Sequence, residues 1–336
     1  MATSSQAWAT LATGFSVPSR PPHAAMHQRV LTFFAVLLTS VFLTACAGLP
    51  ATGTPTRLDD TPRIAVISAF QPEIPLLMER LQTPQLHNIN GVDFTTGILE
   101  GKPVVLFLSG ISMVNAAMNT QLVLDRFNIN GIVFSGIAGG VNPNLHIGDV
   151  VVPAQWGQYL EVAMARETAP GQYVPPGRMD GQTLPNFGMM FPRPVETRKT
   201  GQTEPIRRFW FPVDTRMFEV ARSLSNIELI SCKAGQCLKR KPQIDMGGNG
   251  VSGQAFVDNA AFREYAYKTF QANVLDMETA AVGHVAYSNG VPWIAFRSLS
   301  DLAGGGEGEN EMHTFFNIAA DNSARVLLAF LAAWKF

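Results

Sequence analysis

Strands alternating with helices along the chain predict an α/β layered domain. Short apolar runs such as Arg63-Ile-Ala-Val-Ile-Ser68 and Trp293 to Leu299 read as buried strands. Between them lie segments of helical periodicity, Val114 to Phe127 among them (Val114, Ala117, Met118, Leu122, Leu124). Strand ends run straight into glycine-rich or acidic turns, where folds of this class place ligands. The chain of 336 residues, 46% of them hydrophobic, can bury a substantial core. With 25 Lys+Arg against 26 Asp+Glu there is no global basis for nucleic-acid binding. Charged residues make up only 15%, which argues against a long coiled coil and against charged disorder.

Taken in order, the first feature is an uncharged run, Val30 to Phe42. It is too short for the roughly 20 residues that span a bilayer comfortably. Arg29 precedes it and Leu43-Thr44-Ala45-Cys46 follows, the layout of a secretory signal. Leu-Thr-Ala-Cys resembles the bacterial lipoprotein box, which implies cleavage before Cys46 and lipid attachment to that residue. The competing readings are an uncleaved anchor, or a plain signal peptide with an incidental cysteine. Residues 1–45 are thus expected to be a signal segment, leaving the mature chain exported and lipid-anchored to a bacterial membrane, on its periplasmic or cell-surface side. Residues 46–62, rich in Thr, Pro and Gly, are expected to be a flexible linker, and 63–336 the domain.

Within the domain, Arg63 to Ser68 is followed by an expected helix over Ala69 to Leu81. Val92 to Leu99 and Val104 to Leu108 read as strands joined by the turn sequence Glu100-Gly101-Lys102-Pro103. After the helix Val114 to Phe127, further strands are expected at Gly131 to Ser135 and Asp149 to Val152. Residues 156–211 break the rhythm with many Pro, Gly and aromatic residues, and read as an insertion with its own packing or as a cover. Cys232 and Cys237, in SCKAGQC, are expected to form a disulfide in an exported protein. Zinc is the alternative, but no second Cys/His pair sits nearby at ligand spacing. Val274 to Met277 reads as a strand end, Glu278 to Asn289 as a helix, Trp293 to Leu299 as a core strand and Asn317 to Trp334 as a closing helix.

Four places can carry chemistry. Ser135-Gly136-Ile137-Ala138-Gly139-Gly140 follows a strand and lets backbone approach a ligand, or is simply a tight turn. Asp276-Met277-Glu278 sits at a strand-to-helix junction, where a carboxylate can grip two vicinal hydroxyls or only stabilise a helix start. Arg297-Ser298-Leu299-Ser300-Asp301 ends an apolar strand; Asp301 can give a proton to a heterocycle nitrogen, and a buried Arg297 needs a partner, so the two can equally form a structural ion pair. Glu73, after the first strand, is a general base if burial raises its pKa, or an ordinary helix-start acid. The histidines form no metal cluster, and there is no Gly-x-Ser-x-Gly elbow.

Together these segments resemble the nucleoside phosphorylase/nucleosidase superfamily, in order and over most of the mature chain. RIAVISAFQPEIPLL is similar to the opening strand and helix of methylthioadenosine/S-adenosylhomocysteine nucleosidases, and SGIAGGVNPNLHIGDVVVP to their glycine loop. SGQAFVDN and VLDMETAAVGHVAYSNGVPWIAFRSLSDLAGG are similar to the base- and ribose-binding half. The GGNGVSGxxFVDNAA run, the Cys pair and the SDLAGG ending resemble most the plant bark and vegetative storage proteins of the superfamily. The resemblance implies a three-layer αβα fold with a central mixed sheet, interrupted by the insertion.

It also implies roles. Glu73 falls where the nucleosidases activate water, Arg297 beside that water, and Asp301 where purine N7 is protonated. Met277 and Glu278 fall at the ribose, Phe256 stacks on the base, and the Val257 backbone reads its edge. Gly136, Ile137 and Ser300 complete the expected substrate contacts. The implied reaction is cleavage of a purine nucleoside's N-glycosidic bond, with no metal or organic cofactor, in a homo-oligomer. Phe134 and Ile137 stand where phosphorylases of the superfamily bind phosphate by side chain, so water is expected rather than phosphate. Gln71-Pro72 replaces two acids common beside the general base. The alternatives are a phosphate-dependent phosphorylase and a non-catalytic, storage-like nucleoside binder.

Overall fold

The computed structural model describes residues 57–177 and 184–335. The signal segment, Cys46 and the linker as far as residue 56 lie outside them. Residues 57–62 do not behave as linker. The Leu58 N–H bonds the Arg126 carbonyl at 2.8 Å, Asn128 Nδ2 donates to the Asp60 carbonyl, and Asp59 pairs with Arg63.

One mixed sheet organises the chain. β1 (Arg63–Ser68), buried nearly throughout, lies parallel between β4 (Lys102–Leu108) and β5 (Ile129–Gly140). β3 (Val92–Leu99) and β2 (Gln82–Ile89) extend that side antiparallel. The expected helix over 69–81 is instead a 3₁₀ turn, Gln71–Glu73, and a short α1 (Pro75–Arg80). Pro72 and Pro75 explain the break, because neither can donate a helical N–H and both suit a first turn.

β5 runs past the expected end at Ser135, through the glycine segment to Gly140, and it is where the sheet forks. Its pairing with β1 stops at Ile67↔Phe134. β12 (Trp293–Asp301) pairs with it in parallel from Ile132 to Gly139, while β11 (Ala272–Asp276) meets Gly139 and Gly140 antiparallel. β6 (Val150–Val152) and β9 (Ile244–Met246) continue beyond β12. β10 (Asn249–Ser252), β7 (Gln155–Gln158) and β8 (Trp210–Pro212) continue beyond β11.

Helices flank this sheet. α2 (Met113–Arg126) and α5 (Thr279–Asn289) pack together, and α6 (Met312–Ala333) packs on β5 and β12. α3 (Thr215–Ser223) and α4 (Ala260–Phe270) begin at Asp214 and Asn259, whose side chains accept the Met217 and Phe262 N–H groups. The insertion leaves the sheet at β7 and rejoins it at β8, and these strands pair with each other. Between them it forms two-stranded ladders, such as Val162–Met164 with Met190–Pro192. It docks through rings: Phe187 meets Phe262 and Tyr265, and Phe209 stacks on Phe270 at 5.4 Å. Cys232 and Cys237 are bonded across a small hairpin, which Lys233 ties to Asp321 of α6.

Candidate active site

Every residue of β12 is buried, Arg297 included. A guanidinium without solvent needs counter-charges, and the fork supplies three. Nε lies 2.8 Å from Asp276 Oδ2, Nη2 lies 3.3 Å from Glu278 Oε2, and Nη1 lies 3.8 Å from Glu73 Oε1. Nη1 also donates to the Ile137 carbonyl, and the cation sits 4.0 Å from the centre of the Phe134 ring. Gly136 makes room for this: a Cβ there would stand 2.1 Å from Nη1 and 2.6 Å from Glu73 Oε1.

Glu73 occupies the gap where β1 has ended. Its Oε1 accepts the Ile137 N–H at 2.8 Å and its Oε2 the Ala69 N–H at 2.6 Å. Burial raises its pKa, against the opposing pull of Arg297 and of these backbone bonds. Burial likewise pushes Glu278 up to about 7, with Arg297 opposing and the Asp276 and Glu73 charges adding. Ser112 aims its N–H at Glu278 Oε1 from 2.8 Å by adopting φ +82, a strained value for a side-chain-bearing residue. Asp276 is fastened by Ser252, Thr279 and two backbone amides, those of Glu278 and Thr279. Asp301, at the end of β12, accepts from the Ala303 N–H and Ser300 Oγ; burial raises its pKa, and Asp258 adds to the rise.

These groups surround a cavity of about 170 Å³. Glu73, Ile137, Met277, Glu278, Ser300 and Asp301 line it, as do Phe256 and Val257 from the loop after β10. Phe256 stands 56% exposed at its mouth, free to lie against a flat ligand. Two of the expected contacts lie elsewhere. Gly136 does not line the cavity: the Glu73 and Arg297 side chains lie over its Cα, and its N–H is given to Ser323 Oγ of α6. Arg297, expected beside the attacking water, is not in the cavity lining; it meets the lining through the carboxylates it holds and through the Ile137 carbonyl. Sequence reasoning missed Ile111 and Met312 on the wall, and missed Ser252 and Thr279 as the supports of Asp276. It also missed α4, which was signalled by the Asn259 cap and by Phe262, Ala266 and Phe270 at four-residue spacing.

A family profile described as the phosphorylase superfamily matches residues 63–332. The chain belongs to the phosphorylase superfamily. Within it, a 5′-methylthioadenosine/S-adenosylhomocysteine nucleosidase of Halalkalibacterium halodurans is 29% identical over 268 residues, 80% of this chain and 96% of the relative. That of Lysinibacillus sphaericus is 30% identical over 274 residues, 81% and 99% of the two chains. The solved nucleosidase of S. pneumoniae, with a transition-state inhibitor, superposes with a TM-score of 0.60 at 23% identity, covering 81% of this chain and all of that one. The futalosine hydrolase of Helicobacter pylori strain 26695 gives 0.60 at 20% identity, covering 80% of this chain and 97% of that one. The three-layer superfamily fold expected from the sequence is the fold observed, with the sheet forked at the site.

Proposed function

We propose that this member of the phosphorylase superfamily hydrolyses the N-glycosidic bond of a purine nucleoside of the methylthioadenosine kind, with water as nucleophile. One observation carries the reading. Glu73, Asp276, Glu278 and Asp301 converge on a cavity that, among the described residues, no Lys, Arg or His lines. The charged side chains that a phosphate anion would meet there are all acids, since the nearby cation, Arg297, is buried and already paired. The relatives named as nucleosidases align over nearly their whole length, which supports the same reading.

Each group then has a task. Asp301, whose pKa burial raises, protonates purine N7, so that the base leaves as a neutral species and positive charge develops on the ribosyl carbon. Glu73 holds the attacking water at that carbon and takes its proton. Glu278 accepts from the 2′- and 3′-hydroxyls, fixing the sugar in line. Phe256 stacks on the base while the Val257 backbone meets its edge. Arg297 is a positioning residue: it holds three carboxylates in one register without touching substrate.

The deciding measurement is adenine release from a nucleoside panel with and without phosphate. Equal rates in both are expected. Strict phosphate dependence would reassign the chain as a phosphorylase, and nucleoside binding without release would make it a storage-like binder. We further propose that the chain is exported and held to a membrane by lipid on Cys46, and that it forms a homo-oligomer. The leader sequence supports the first, and exposed Val114 and Met118 of α2, with Ile111 just before it, support the second.

A further inference from the structure

We infer that the insertion braces the loop that holds the purine, and that Tyr159 is the positioning residue through which it does so. This rests on the nucleosidase reading of the cavity. Phe256 and Val257 belong to the loop that joins β10 to α4. One end of that loop is fixed where the Gly253 N–H bonds the Asp276 carbonyl, and the other where the Asn259 N–H bonds the Ala303 carbonyl. On its exposed side Asp258 takes Asn310 Nδ2 at 3.0 Å. The Phe256 ring is itself too exposed for packing alone to place it, so its aim depends on the backbone beneath.

Tyr159, buried where the insertion leaves β7, grips this backbone three times. Its N–H bonds the Ser252 carbonyl at 3.0 Å. Its ring covers Gly253, where a Cβ would stand 2.6 Å from Cζ. Its hydroxyl donates to the Ala255 carbonyl at 3.2 Å. The last contact sets the geometry: a peptide unit is planar, so pinning the Ala255 carbonyl also aims the Phe256 N–H and the axis about which Phe256 turns. Burial, helped by the Asp276 charge, raises the pKa of the Tyr159 hydroxyl, so it stays a donor throughout the neutral range. The rest of the insertion holds Tyr159 in turn. Its ring meets Phe262 of α4 at 5.3 Å, and Phe187 meets Phe262 edge-on at 5.2 Å and Tyr265 at 5.1 Å. Tyr265 closes the cluster by donating to the Pro185 carbonyl at 2.8 Å. None of the described insertion residues lines the cavity, so the insertion supports the site from behind.

Two variants of the full chain test the brace at its two ends. Tyr159→Phe removes the hydroxyl and keeps the ring, and Phe187→Ala removes the far contact at a partly exposed position. Each is expected to weaken the calorimetric Kd for adenine, and to raise KM for methylthioadenosine, by about tenfold. The kcat should stay within about twofold, because a better-aimed loop holds substrate and transition state alike. Unchanged adenine binding overturns the proposal, and so does a kcat that falls as far as the affinity, which marks general damage to the site. If the wild type releases no adenine, the nucleosidase reading has failed, and hydrogen exchange then decides the brace by itself. Exchange over residues 250–259 about tenfold faster in both variants, with β12 unchanged, upholds it; unchanged exchange there overturns it.

Discussion

Arg297 determines what its neighbours can do. Three buried carboxylates that repel one another are held within 4 Å of a single guanidinium, so replacing Arg297 by Met should cost about 3–5 kcal/mol of stability, read by denaturant unfolding. Glu73→Gln keeps the hydrogen-bond geometry but removes the base, and should lower kcat for adenine release by about 10²–10⁴-fold. Undiminished release would overturn its role. Glu278 carries a pH signature. Its carboxylate, pushed up to about 7, grips two hydroxyls only when charged, so KM should rise as pH falls through that value. Glu278→Gln should flatten the curve. Glu73, Glu278 and Asp301 were singled out in the sequence because each lies at or shortly after the end of an apolar strand. The Asp276–Ser252–Thr279 support was not, since it joins side chains that only the pairing of β10 with β11 brings together.

At the scale of elements, the prolines and glycines explain most of what the sequence did and did not reveal. A helix over 69–81 was expected from apolar spacing, yet Pro72 and Pro75 cut it so that the turn between them delivers Glu73 into the fork. β2 escaped notice because it is a polar, largely exposed edge strand without alternation. The glycine segment of β5 is strand rather than loop, and Gly136 is there to clear a path for Arg297 and Glu73. Gly136→Ala should therefore displace both groups. An adenine-release assay is expected to lose at least about a hundredfold, with about 1–3 kcal/mol of stability lost in thermal unfolding. A fully active alanine variant would show that the two side chains can move aside.

At the scale of the whole molecule, the alternation of strands and helices gave away the layered fold, but not the fork. That depends on β12, β11 and β1 all competing for one strand, pairings made across more than sixty residues. The leader makes its own prediction: Cys46→Ser should move the protein from the membrane fraction to the soluble one and abolish incorporation of labelled palmitate. Unchanged fractionation would instead favour an uncleaved apolar anchor.

The pairing of β7 with β8, Phe211 opposite Trp156, has a consequence for how freely the connection between them can be re-engineered. The two strands form a socket whose rims stand one ladder spacing apart, whatever chain is plugged between them. Lengthening such a connection tenfold adds only about 2 kcal/mol of closure entropy. A connection of other length or sequence can therefore be carried here without rerouting a single strand that carries the carboxylates.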